Sequence, residues 1–237
     1  MGQGYDRRVN LHVMHAARTL ASIAGGAEPP CQALACRLGA PDQVAAAWIP
    51  DNPLEPGWLA STDVPAPRLL CWSGSLAPDP FTVHPPNWMR PGRAALDALL
   101  QAIAPGLEAA GRSLCLRPHV RHVLSDPQGC LRFLGDHAGL PVQVALSPSD
   151  MLAPEMLADL PEHLTRLFTS MGPRAALVLL QDIGEPDGRN LLAPVPLGQG
   201  RLPRDLVRSL LAEHVPKETP VVIWPEDMAG QLVWLRD

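Results

Sequence analysis

The second half of the chain holds four short apolar runs, and each stops on residues with chemistry to offer. "SLCLRPH" (113–119) ends in Arg117 and His119, with His122 close behind, and "VQVALSP" (142–148) ends in Ser147 and leads into Asp150. "AALVLLQD" (175–182) ends in Asp182, and "PVVIWPE" (220–226) ends in Trp224 and Glu226. A guanidinium at Arg117 can grip a phosphate or carboxylate in a bidentate fork, or it can pair with a carboxylate such as Asp150 or Asp182. Asp150, Asp182 and Glu226 are of the type that serves as acid, base or hard metal ligand. Plainer uses stand beside these. "SPSD" ahead of a helix can satisfy free amide groups through Asp150. His119 and His122 lie beyond a strand end and a proline, so their spacing implies no metal pair on one helical face. Trp72 and Trp224, which also end apolar runs, can stack on a sugar ring or simply fill the core.

The elements that must position these residues follow from the pattern around them. Each run is short, nearly continuous and rich in Val, Leu or Ile, as a strand covered on both faces should be. Amphipathic stretches at about 126–138, 154–171 and 203–214 separate them, which is the order of βα units around a parallel sheet. Asp150 or Ser149 can start the second of these helices, and Gly172 with Pro173 closes it. Leu202, Leu206, Leu210 and Leu211 form the buried stripe of the third. The first half is broken by proline-rich loops such as "IPDNPLEPGW" (49–58) and "DVPAPRL" (63–69). Strands are expected there at about 43–49 and 68–75, with a long helix at about 92–110 ending near Gly111. "VNLHVMHAARTLASIA" (9–24) reads either as a strand leading into a helix or as a helix throughout. The total is seven strands. The charged loop "QDIGEPDGR" carries Asp182, Glu185, Asp187 and Arg189, and "LGQG" lacks the third glycine and the preceding strand of a dinucleotide fingerprint.

Composition narrows the function classes. The 237 residues are 46% apolar but only 4% aromatic, with 28 prolines, which describes a globular core of aliphatic side chains against small ones. A net charge of −5 leaves no basic excess to track a phosphate backbone, so nucleic acid is not an expected partner. No apolar run approaches the roughly 20 residues a membrane span needs. "MGQGYD" has the Gly2 of an acylation site but Asp6 where Ser or Thr is wanted, and the N-terminus does not resemble a secretory signal. Five cysteines without a Cys-x-x-Cys pair argue against a disulfide framework and a structural zinc site, and point to a reducing cytoplasm. No Gly-x-Ser-x-Gly elbow, phosphate loop or His-Glu-x-x-His helix is present.

In the order of its runs and loops, the stretch from 92 to 226 resembles the sugar phosphate isomerase/epimerase superfamily, the xylose isomerase-like TIM barrels. In that family successive strands end in Glu-x-His, Asp-x-x-His and His followed by Asp; a Gly-x-Gly loop follows, and a last strand ends in Glu. The matching places here read "LRPH", "LSPSD", "LLQD", "LGQG" and "WPE". The resemblance implies a single TIM-type α/β barrel domain over 1–237, short or incomplete in its N-terminal half. It also implies that the metal tetrad of two Glu, one Asp and one His is lost. Arg117 stands for the first Glu, Ser147 for the Asp, Leu179 for the His, and Trp224 or Pro225 for the last Glu unless Glu226 shifts into its place. A fixed cation repels a divalent metal, and Leu179 can neither ligate one nor move a proton.

The expectation is therefore a noncatalytic relative that binds a small sugar, polyol or acid, or a partner chain, without cofactor or metal. Its ligand-binding set would be Arg117, His119, Asp182, Arg189 and Trp224, and it could be a homo-oligomer. The alternative is an active isomerase or epimerase. It would use a divalent metal held by a rebuilt set drawn from His119, Asp150, Asp182 and Glu226, or metal-free chemistry with Arg117 as electrophile. Kinship to the DNA-repair endonucleases of the same barrel would require a multi-zinc cluster and a basic face, and the sequence has neither.

Overall fold

The computed structural model describes residues 9–24, 31–58 and 64–236. The reading of the acylation signal at Met1–Asp6 lies outside them. Strand β1 (Asn10–Ala16) runs directly into helix α1 (Ala17–Ala24), which resolves the first of the ambiguous segments. Then come β2 (Ala33–Arg37), β3 (Ala40–Ile49), β4 (Arg68–Trp72) and α2 (Arg90–Ala109). The regular part follows as β5 (Ser113–Arg117), α3 (Pro127–Asp136), β6 (Val142–Val144), α4 (Leu160–Met171) and β7 (Val178–Leu179). A hairpin of β8 (Asp182–Pro186) and β9 (Leu192–Val195) precedes α5 (Arg204–His214), β10 (Pro220–Ile223) and α6 (Met228–Leu235).

Eight strands pair in the order β6-β5-β4-β3-β2-β1-β10-β7. The two ends of this sheet meet, because Leu146 just past β6 bridges Val178 of β7 in parallel, with Leu179 N–H donating to the Leu146 carbonyl at 2.8 Å. The sheet is thus curled into a barrel. Its strands are parallel except β2, which runs antiparallel to both β1 and β3. The sequence reading of seven strands missed β2, whose "ALACR" is too short and too poor in branched residues to stand out. Its hairpin with β3 turns at Leu38–Gly39, where Gly39 takes a φ of +81° that a side chain would oppose. The incompleteness expected of the first half is real, but it lies in the helical layer. Neither the β2–β3 turn nor the described part of the β3–β4 connection contains a helix.

Side-chain alternation divides the core in two, as the period of a strand requires. Leu69, Cys71, Leu114, Leu116, Val144, Val221 and Ile223 face outward and pack with the stripes of the helices, such as Leu96, Leu100 and Leu107 of α2. Met14, Ala35, Leu70, Cys115, Ala145, Leu177, Leu179 and Val222 face inward and fill the barrel. Cys36, Cys71, Cys115 and Cys130 are buried free thiols, and burial pushes the Cys115 thiol up to about 12, so each behaves as a small hydrophobe. No helix among the described residues is long and apolar enough to cross a membrane.

Candidate functional site at the barrel mouth

The inward alternation of β5 places Leu114 outside, Cys115 inside, Leu116 outside and Arg117 inside, at the open C-terminal end of the barrel where such folds carry function. Arg117 is only 5% exposed. Its Nε donates to Asp150 Oδ2 at 2.5 Å and its Nη2 to Gln181 Oε1 at 3.2 Å. Ser147 Oγ donates to the same Asp150 oxygen. The guanidinium carbon lies 4.4 Å from the ring centre of Trp72 and 5.3 Å from those of Trp48 and Trp224. A single buried cation is thus held by one carboxylate, one amide and three indole faces, which offset its loss of water.

Of the two uses open to Arg117, the ion pair with Asp150 is the one made. Asp150 makes no helix cap, since its carboxylate is turned to Arg117 and Ser147. Trp48 and Gln181 complete the cluster and were not singled out in the sequence. The signal available was that three apolar runs place a tryptophan at their end, at 48, 72 and 224.

His119 and His122 sit beside this cluster. His119 is 7% exposed and His122 is fully covered; their rings stand 4.9 Å apart and pack edge-on against Trp72. His119 Nδ1 accepts from the Arg121 N–H at 3.1 Å, which assigns its proton to Nε2. Burial, with Arg117 and Arg121 nearby working against the pull of Asp150, lowers the His119 imidazole to about 4. Burial lowers His122 well below the usual range, helped by His119 and Arg117 and weakly opposed by the Pro80 carbonyl. Neither ring nitrogen of His122 makes a hydrogen bond of proper geometry.

The other expected residues are placed elsewhere. Asp182 is 1% exposed, and its carboxylate accepts three backbone N–H groups: Ile183 at 2.8 Å and Leu202 at 2.7 Å on Oδ1, and Gly198 at 2.9 Å on Oδ2. It therefore pins the "LGQG" loop. A Cβ at Gly200 would come within 2.5 Å of Asp182 Oδ1 and of the Ile183 carbonyl, which is why a glycine stands there. Arg189 lies exposed at the tip of the β8–β9 hairpin and pairs with Asp79 at 3.3 Å, apart from Arg117. Glu226 is exposed, and its backbone carbonyl accepts from Gln231. Asp227 caps α6 through Gly230 N–H and accepts from Gln199 at 3.0 Å.

No family model and no curated protein matches the sequence. Solved structures do match. The chain is similar to an L-ribulose 3-epimerase (TM-score 0.50, 16% identity, 68% of this chain and 49% of that one). It is also similar to a D-psicose 3-epimerase seen with D-fructose (TM-score 0.52, 15% identity, 81% and 69%). A third match is the probable 3-DHS dehydratase AsbF of petrobactin synthesis from Bacillus anthracis (TM-score 0.51, 13% identity, 79% and 73%). The chain spans about half the length of the first of these. Its fold is that of a TIM-type α/β barrel.

The resemblance read from the sequence implies a divalent metal at the mouth, and the residues present can be tested against it. The four inward positions at the ends of β5, β6, β7 and β10 are Arg117, Ser147, Leu179 and Trp224. None is a carboxylate or an imidazole. Asp150, the carboxylate that contacts Arg117 and Ser147, is already paired with Arg117. Among the described residues no group of three or more His, Cys, Asp or Glu could hold a metal ion. The donor set of this barrel does not fit the metal.

Proposed function

We propose that this xylose isomerase-like barrel is noncatalytic at its mouth and acts by binding, as a partner protein or as the holder of a small ligand. The observation that carries the reading is the Arg117 guanidinium, buried within an aromatic cage and paired with Asp150. Isomerisation and epimerisation of a sugar require a base at a C–H bond and a stabiliser for the oxygen charge that develops. Here the strand ends offer a carboxylate neutralised by a cation, two uncharged imidazoles and apolar side chains. Sugar, polyol or acid binding in the manner of the barrel's neighbours would need Arg117 to reach solvent, and it is buried and engaged with Asp150 and Trp224. That favours the partner role.

The test joins two measurements on the untagged protein. Metal content after dialysis against manganese, magnesium and zinc should stay far below one equivalent. Exchange of substrate hydrogen with D2O, with D-psicose or D-fructose, should not exceed the uncatalysed rate. Near-stoichiometric metal, or exchange abolished by Asp150→Ala, would overturn the reading.

A further inference from the structure

The β8–β9 hairpin leaves the barrel after β7 and reaches three of the loops that frame the mouth. At its tip Arg189 Nη1 pairs with Asp79 of the β4–α2 loop at 3.3 Å, and Asn190 Nδ2 donates to Glu155 Oε1 of the β6–α4 connection at 3.2 Å. The Asn190 carbonyl accepts from Arg121 Nη2 of the β5–α3 loop at 3.4 Å. Strand β9 meanwhile packs on the short 3-10 turn Ser149–Met151, which carries Asp150, the partner of Arg117. All three residues of that turn are buried, although it stands at the open end of the barrel. The hairpin lies as a strap over the turn that holds the charged pair.

Its two halves are held differently. The base is fixed: Asp182 accepts its three backbone N–H groups, Ile183 is fully buried, and the Arg201 N–H donates to the Ile183 carbonyl at 2.9 Å while its guanidinium pairs with Glu185. Beyond the base the ladder is interrupted, because Gly184 and Glu185 together face Ala193 between the pairs Ile183–Pro194 and Pro186–Leu192. Such a bulge bends its strand and breaks the pairing, and Pro186 and Pro194 beside it have no N–H to give. The outer half is one stiff turn, in which Asp187 Oδ1 accepts from the Arg189 and Leu191 N–H groups at 2.8 and 3.0 Å. From Pro186 to Leu192 only Leu192 is buried. A segment that hides one apolar side chain and is otherwise held by exposed polar contacts opens far more readily than the core beneath it.

We propose that the β8–β9 hairpin is a hinged strap: its outer half swings as a unit about the bulge at Gly184 and Glu185 and, when the contacts of Arg189 and Asn190 release, uncovers the turn bearing Asp150 and with it the way to Arg117. The device sets access to the mouth. It goes beyond the binding role proposed above and does not depend on what enters there.

The test is residue-resolved hydrogen exchange on the whole protein, comparing the parent with the double variant Arg189→Ala, Asn190→Gly. Both positions are exposed, and glycine accepts the φ of +56° that Asn190 adopts, so folding is not at stake. Each exposed contact shifts an open–closed balance by up to about fivefold. The amides of Val120 and Met151, bonded to the Asp150 and Ser147 carbonyls, should therefore exchange about threefold faster or more in the variant. Those of Gly198 and Leu202, bonded to Asp182, should keep the parental rate. Sodium chloride at about 0.5 M should speed Val120 and Met151 in the parent more than in the variant, because it screens the Arg189–Asp79 pair. A change below threefold, or acceleration that spreads to Gly198 and Leu202, would overturn the proposal. So would an equal response of parent and variant to salt.

Discussion

Removing the Asp150 carboxylate while leaving Arg117 in place tests the central feature of the mouth. In Asp150→Ala the guanidinium loses its partner at 2.5 Å and keeps only Gln181 at 3.2 Å and the three indole faces. With Arg117 5% exposed, water cannot take the carboxylate's place without opening the cage. Stranding one member of a buried pair costs about 3–5 kcal/mol. For a domain of this size each kcal/mol moves Tm by roughly 2–4 °C, so Tm should fall by about 6–20 °C. Removing both charges is a different experiment. Arg117→Met with Asp150→Leu fills the same volume with apolar atoms and should be about as stable as the parent, within about 1.5 kcal/mol. Urea denaturation followed by tryptophan fluorescence, with calorimetry as a second probe, compares both variants with the parent. The reasoning fails if Asp150→Ala costs less than about 1 kcal/mol, the value of an exposed pair. It fails equally if the double variant is less stable than Asp150→Ala alone.

Other consequences can be measured in the same way. His122 makes no hydrogen bond of proper geometry and meets the Pro80 carbonyl only weakly, so His122→Phe should change stability by no more than about 1 kcal/mol at pH 7, and a larger loss would show that the Pro80 contact is a full hydrogen bond. Because His119 is lowered to about 4, the unfolded chain binds the proton first: stability is complete above about pH 6.5 and falls toward pH 4 by about 1.4 kcal/mol per unit. His119→Gln should flatten that slope between pH 7 and 5 in urea midpoints, and an unchanged slope would refute the assignment. Asp182→Ala removes three buried backbone hydrogen bonds and should cost about 3 kcal/mol, with faster amide hydrogen exchange at Gly198 and Leu202; protection equal to the parent would contradict its structural role.

The order of strands and helices beyond residue 113 was written in the sequence because local signals suffice there. Continuous runs such as "AALVLL" mark strands covered on both faces, and leucine stripes mark the helices that cover them. The residue types at the strand ends were legible too, since a strand end either carries a carboxylate or does not, and those at Arg117 and Leu179 do not. Distance in the chain hid the rest. That Arg117 pairs with Asp150, 33 residues on, and stacks between Trp48, Trp72 and Trp224 is decided by barrel curvature, which converges strand ends spread over more than two thirds of the chain. Asp182 reads in sequence only as a carboxylate at a strand end; that it accepts three backbone N–H groups, from residues up to 20 positions away, is decided by the tertiary structure. The antiparallel β2 and the β8–β9 hairpin were missed for a related reason: their strands gain stability from neighbours in the fold, through pairing that no short window of residues records.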